Sequence, residues 1–119
     1  MTKSKPKPKT AAPQKINILG AEYSFKFDTV ANEPALDNKF GLCDRSSRRI
    51  VVKESQKSGS PLDLDDMDMH TKETIRHEII HAYFDEAGLV DTSCKDWLVD
   101  WIAIQFPKML KTFQETGAI

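Results

Sequence analysis

The sequence predicts an α+β fold in which a small β-sheet is followed by two helices. Three observations predict it. Apolar and polar residues alternate through "EYSFKF" (residues 22–27), the period of a half-buried strand. Two further β-rich runs, at residues 40–43 and 49–53, flank the polar turn Asp44-Arg45-Ser46-Ser47. Two long stretches with helical spacing, 69–87 and 95–113, then close the chain. Strands first and helices after is an α+β order.

The elements follow in sequence. Residues 1–15, "MTKSKPKPKTAAPQK", alternate Lys with Pro and offer almost nothing to bury, so a disordered tail is expected ahead of one domain over 16–119. "INILG" and "EYSFKF" flank Gly20-Ala21 and read as a hairpin or bent strand pair, with Tyr23, Phe25 and Phe27 on one face. Asn32, Pro34 and Asn38 break the chain into a loop or short helical turn over 28–39. "SQKSGSPL" (55–62) is a linker. Asp63, Asp65, Asp66 and Asp68 follow. An EF-hand counted from Asp63 needs Gly at its sixth position and Glu at its twelfth, where this chain has Asp68 and Thr74. Acidic residues at a helix start satisfy free N–H groups and suit the positive end of the helix instead. Gly88 is a natural stop for the first helix. Residues 89–94 make a short connection, and Pro107 predicts a kink or break in the second helix near Gln105-Phe106.

Composition narrows the function. A chain of 119 residues fits one domain. A formal net charge of −1 argues against a nucleic-acid partner. No apolar run reaches the roughly 20 residues of a membrane span. The basic start lacks an apolar segment, so no secretory signal is expected. Cys43 and Cys94 are too few and too far apart for a disulfide scaffold and read as free thiols in a reducing cytoplasm. No internal repeat is visible.

The chemistry lies in "TIRHEIIHAYFDEAGL" (74–89). His77 and His81, four apart on a helix, share a face and can converge on one metal ion. Glu78, one step round, points beside that ion, where it can take a proton from a metal-bound water. This is the H-E-x-x-H arrangement with Glu as general base. Ile75, Ile79, Ile80, Ala82 and Phe84 surround it, so the helix is expected to be largely buried. Two histidines and a glutamate in such a helix need compensation, which a metal provides. Asp85, four after His81, either supports a ligand histidine from behind or is a surface acid. His70 lies two turns before His77, roughly 10.5 Å along the axis, too far to share the ion.

A catalytic zinc needs a third protein ligand. "CKDWLVDWIAIQF" offers Asp96 and Asp100 on one face, with Cys94 in the preceding turn as a further candidate. Either aspartate can ligate while the other hydrogen-bonds a histidine. Trp97, Leu98, Trp101, Ile102 and Ile104 supply apolar surface for packing on the first helix, and Ala103 lets the helices come close.

Taken in order, "KINILGAEYSFKF", "GLCDRSSRRIVV", "ETIRHEIIHAYFDEAGL" and "DWLVDWIAIQFPKM" resemble the small phage-type zinc metallopeptidases of the zincin group, similar to the ImmA/IrrE and SprT-like peptidases. The resemblance covers residues 16–110, and the segment around His77 is its specific part. It implies a minimal zincin-like fold, a small antiparallel or mixed sheet packed on an H-E-x-x-H helix and a second, C-terminal helix. It implies Zn²⁺ on His77, His81 and, counting back from Val99 and Ala103, Asp96, where such proteins commonly carry Glu. It also implies an extended peptide paired to a strand edge, here residues 49–53 with Ile50, Val51 and Val52.

The leading expectation is therefore a phage or prophage-encoded zinc peptidase in the host cytoplasm, acting on a protein or peptide through Glu78. Tyr83, His70 or Arg45 is the expected oxyanion donor. The alternative is a catalytically inert, zinc-stabilised binding module acting on a host or phage protein. A weaker third reading is nucleic-acid association through the lysine-rich tail.

Overall fold

The computed structural model describes residues 12–54 and 67–119. The expectations for residues 1–11, for the linker and for Asp63, Asp65 and Asp66 fall outside them. Strands β1 (Gln14–Ile18), β2 (Ala21–Asp28), β3 (Gly41–Asp44) and β4 (Arg49–Lys53) precede helices α1 (Met67–Glu86), α2 (Val90–Ser93) and α3 (Asp96–Glu115). A 3-10 turn, Pro34–Leu36, lies between β2 and β3. The α+β order is as expected, with two adjustments. Gln14 and Lys15, expected in the tail, belong to β1, because they pair with Phe25 and Ser24. The connection after α1 contains the short helix α2.

β1 and β2 form a two-residue hairpin. Leu19 and Gly20 have φ of 51° and 89°, the double positive-φ geometry whose twist matches that of the strands. The Asn17 side chain accepts the Gly20 N–H at 2.9 Å. The sheet order is β1-β2-β4-β3, with β2 and β4 parallel and the other two pairs antiparallel. The sheet is therefore mixed. One face, carrying Ile18, Tyr23, Ile50 and Val52, packs on Ile75, Ile79 and Ala82 of α1. Val51, pointing the other way by strand alternation, is also fully buried, as is Leu36.

β4 was the strand expected at the edge, but it lies between β2 and β3, and Ile50, Val51 and Val52 are each 0% exposed. The edge beside α1 is β3. Sequence order misleads here because the chain crosses over from β2, lays down β3 on the outside and returns through a hairpin to insert β4 in the middle. Lys53 N–H donates to the Phe40 carbonyl at 2.8 Å, so by antiparallel alternation Leu42 and Asp44 take the bonds to β4. The peptide groups of Gly41 and Cys43 face outward.

α1 ends as Gly88 predicts. Gly88 has φ of 81°, and the N–H groups of Gly88 and Leu89 close back on the carbonyls of Asp85 and Phe84 at 3.1 and 2.8 Å. Among the described residues no helix is long and apolar enough to cross a membrane. α3 runs through Pro107 without the expected break. The carbonyl that loses its intrahelical donor there, that of Ala103, instead accepts the Arg76 Nε–H of α1 at 2.6 Å.

Candidate metal centre

α1 lies between the sheet and α3. Its buried side chains are Thr74, Glu78 and Ala82, and the isoleucines around the motif are half-buried. The helix is thus less deeply buried than expected, and two of its three buried positions are polar. Glu78 is buried because β3 passes directly over it. A Cβ built on Gly41 would lie 3.0 Å from Glu78 Cγ and from Thr74 Cγ2, so a side chain there would displace the carboxylate. Burial pushes the Glu78 carboxyl up to about 7, Asp96 adding to the rise and Lys39 opposing it.

α3 packs on α1 through Val99 and Ala103, which are 0% and 1% exposed. The tryptophans expected in this interface point away from it: Trp97 is 71% and Trp101 54% exposed. Each sits one residue, about 100° of helix rotation, past the aspartate that faces α1. Ile104 is exposed as well, while Leu98 and Ile102 are half-buried.

Turning this face inward brings Asp96 and Asp100 to the histidines. His77 Nε2 and His81 Nε2 are 3.1 Å apart. Asp96 Oδ1 lies 3.3 Å from His81 Nε2 and 4.0 Å from His77 Nε2. Asp100 Oδ1 lies 2.9 Å from the other nitrogen of His77, Nδ1. Ser93 Oγ lies 2.9 Å from His81 Nδ1 and also within 3.4 Å of the His81 carbonyl.

These partners constrain the ring protons. An ionised carboxylate only accepts, so His77 carries its proton on Nδ1 and leaves a lone pair on Nε2. With its own proton directed to the His81 carbonyl, the Ser93 hydroxyl accepts from Nδ1–H, which favours the same tautomer for His81. Burial, then the neighbouring His77, hold the His81 imidazole below its ordinary range, which favours the neutral ring. Two nitrogen lone pairs and a carboxylate oxygen then point at one spot, an arrangement that repels itself unless a cation stands between them. Two zinc–nitrogen bonds of about 2.0–2.1 Å at a tetrahedral angle place their nitrogens about 3.3–3.4 Å apart, close to the spacing found. His77, His81 and Asp96 thus form a donor set that fits zinc, their donor atoms all within 4.8 Å of one another.

A cleft of about 900 Å³ opens over these groups. β3 forms one wall, α1 the floor, and α2 with the start of α3 the other wall. Of the expected oxyanion donors, His70 and Arg45 line it, whereas Tyr83 does not. The His70 ring packs edge-on against Phe40, with centroids 4.6 Å apart. Asp85 lines the cleft but bonds neither histidine, because Ser93 holds the Nδ1 of His81 where Asp85 was a candidate. Cys43 and Cys94 are free thiols in the same walls, and burial pushes that of Cys43 up to about 12.

Sequence reasoning missed Ser93, Gly41 and Arg76. Gly41 had a readable signal, since glycine inside a strand marks close backbone approach. Ser93 had none, because its contact depends on the turn of α2. Comparison with protein-family models, with curated proteins and with solved structures found no match for this chain.

Proposed function

We propose that this chain is a zinc-dependent peptidase of the H-E-x-x-H type, acting on a peptide or protein laid in the cleft between β3 and α3. One observation carries the reading: the Nε2 atoms of His77 and His81 face each other at 3.1 Å beside the Asp96 carboxylate. The resemblance to phage-type zincin peptidases points the same way and implies a phage or prophage-encoded enzyme of the host cytoplasm.

His77, His81 and Asp96 hold the ion, and Asp100 and Ser93 orient the two imidazoles from behind. Zinc, when bound, supplies a Lewis acid and lowers the pKa of water towards about 7. Glu78 takes a proton from the attacking water on its carboxylate and returns it to the leaving amine. Gly41 leaves Glu78 room to do so from beneath β3. The outward peptide groups of Gly41 and Cys43 pair with an extended substrate by strand addition and bring its scissile bond over Glu78. The substrate edge is therefore β3 and not the Ile50–Val51–Val52 segment.

The test compares wild-type protein with Glu78→Gln for zinc content and for hydrolysis of a mixed fluorogenic peptide set. Both proteins should carry equimolar zinc, and the variant should lose about 10²–10⁴-fold in rate. Equal hydrolysis by the two proteins, or a native protein without zinc, refutes the reading.

The exposure of Trp97 and Trp101 favours a second reading, an inert zinc-stabilised binding module that engages a protein partner through the outer face of α3. It predicts zinc in both proteins and peptide hydrolysis in neither.

A further inference from the structure

α1 and α3 run antiparallel, and polar contacts join them at successive turns. His81 faces Asp96, His77 bonds Asp100, and farther along α3 Arg76 Nε donates to the Ala103 carbonyl at 2.6 Å. The last contact is open for a reason written in the sequence. In an α-helix the carbonyl of residue 103 accepts from the N–H of residue 107, and residue 107 is proline. Ala103 is 1% exposed, so its orphaned carbonyl has little access to water. A buried acceptor requires a donor. Arg76 supplies one, and its charge strengthens the bond.

We propose that Arg76 and Pro107 form an interhelical latch, and that Arg76 is a positioning residue for the metal centre. It touches none of the three donor groups, yet it immediately precedes His77 in the chain. Asp96, Asp100, Ala103 and Pro107 follow one another along a single stripe of α3. The latch fixes the axial register of the helix that carries two ligands against the helix that carries the third. A slip of one residue along either helix is 1.5 Å, large beside the about 0.2 Å that metal–ligand distances tolerate. Proline makes the latch compulsory: with an N–H at position 107 the carbonyl would be satisfied inside α3, and the bond from α1 would be dispensable.

The inference rests on the zinc reading above, and its test separates the two. Zinc is titrated into the metal-free full chain against a chromophoric chelator, and Tm is recorded, for wild type, Arg76→Ala and Arg76→Ala/Pro107→Ala. The single variant should lose both Tm and about 10-fold or more in zinc affinity. The double variant regains the carbonyl's donor within α3 and should recover Tm while its zinc affinity stays low, a split that a merely stabilising role does not produce. Wild-type zinc affinity in Arg76→Ala overturns the inference, as does its full recovery in the double variant. If Arg76→Ala does not fold, the double variant decides alone. A wild-type chain that binds no zinc removes the metal reading and this inference with it.

Discussion

Asp96 and Asp100 stand one turn apart on α3 and approach the same imidazole from two sides. Asp100 reaches His77 Nδ1 at 2.9 Å, whereas Asp96 lies 4.0 Å from His77 Nε2 and 3.3 Å from His81 Nε2. The ring atom each one meets assigns its part. An acceptor at Nδ1 fixes a tautomer and an orientation, and an acceptor beside both Nε2 atoms would share the ion they are proposed to hold. Asp100→Ala should therefore weaken zinc binding by about 10–100-fold while leaving the ion in place at saturation. Asp96→Ala removes a donor atom and should weaken it more. Competition titration of both variants checks the order, and a larger loss in Asp100→Ala would exchange the two assignments. Gly41 sets the other side of the site. Gly41→Ala places a methyl 3.0 Å from Glu78 Cγ and should destabilise the fold by about 1–3 kcal/mol. On the peptidase reading, hydrolysis should fall with it and zinc content should not, because the clash falls on the proposed base, Glu78, and not on a proposed ligand.

At the scale of elements, ion pairs tie the sheet to its surroundings. Arg49 of β4 grips Glu33, just before the 3-10 turn, with two bonds of 2.6 and 3.1 Å. Arg48, next to it, grips Glu86 at the end of α1, which also accepts the Tyr23 hydroxyl at 2.9 Å. The Arg49 guanidinium holds the Glu33 carboxyl below its ordinary 4.5, and Arg48, with Tyr23, does the same for Glu86. A depressed folded pKa means stability fully present above the unfolded value and lost as pH falls through the folded one. These two carboxylates should therefore lose their contribution to Tm as pH falls below about 5, and Glu33→Gln should flatten that acid limb. An acid limb unchanged by the variant would remove Glu33 from this account. What was legible in the sequence at this scale was whatever depends on near neighbours. The alternation of Tyr23, Phe25 and Phe27 marked β2, Gly88 marked the end of α1, and the four-residue spacing of His77 and His81 marked two members of the candidate cluster. What was not legible depends on partners far along the chain. The central place of β4 follows from a parallel pairing with β2 across the whole of β3. The donor that satisfies the Ala103 carbonyl left open by Pro107 comes from an arginine 31 positions before the proline. The outward turn of Trp97 and Trp101 follows from which face the two aspartates occupy, and apolar content alone pointed the other way.

At the scale of the molecule, the sheet and α1 share one apolar core, whereas α3 rests mainly on α1 and α2. The fully buried residues of α3 are Val99 and Ala103, and much of its remaining apolar surface is exposed. Small residues bury little area, so hydrophobic attachment of α3 is weak. A metal held by His77 and His81 of α1 and Asp96 of α3 would then be the principal staple between the two halves. Ligand binding to the native state alone adds about 2.7 kcal/mol when the free ligand is about one hundred times its Kd. For a domain of this size that is a rise in Tm of roughly 10 °C. Chelation of the purified protein should remove it and added zinc restore it. The loss should also be uneven. Amide exchange should accelerate across α2 and α3 on chelation while β2, β4 and the sheet-facing turns of α1 keep their protection, because those rest on Tyr23, Ile50 and Val52 and not on the ion. Uniform acceleration over sheet and helices together would mean that the metal holds the whole fold, and no acceleration at all would mean that α3 stays in place without it.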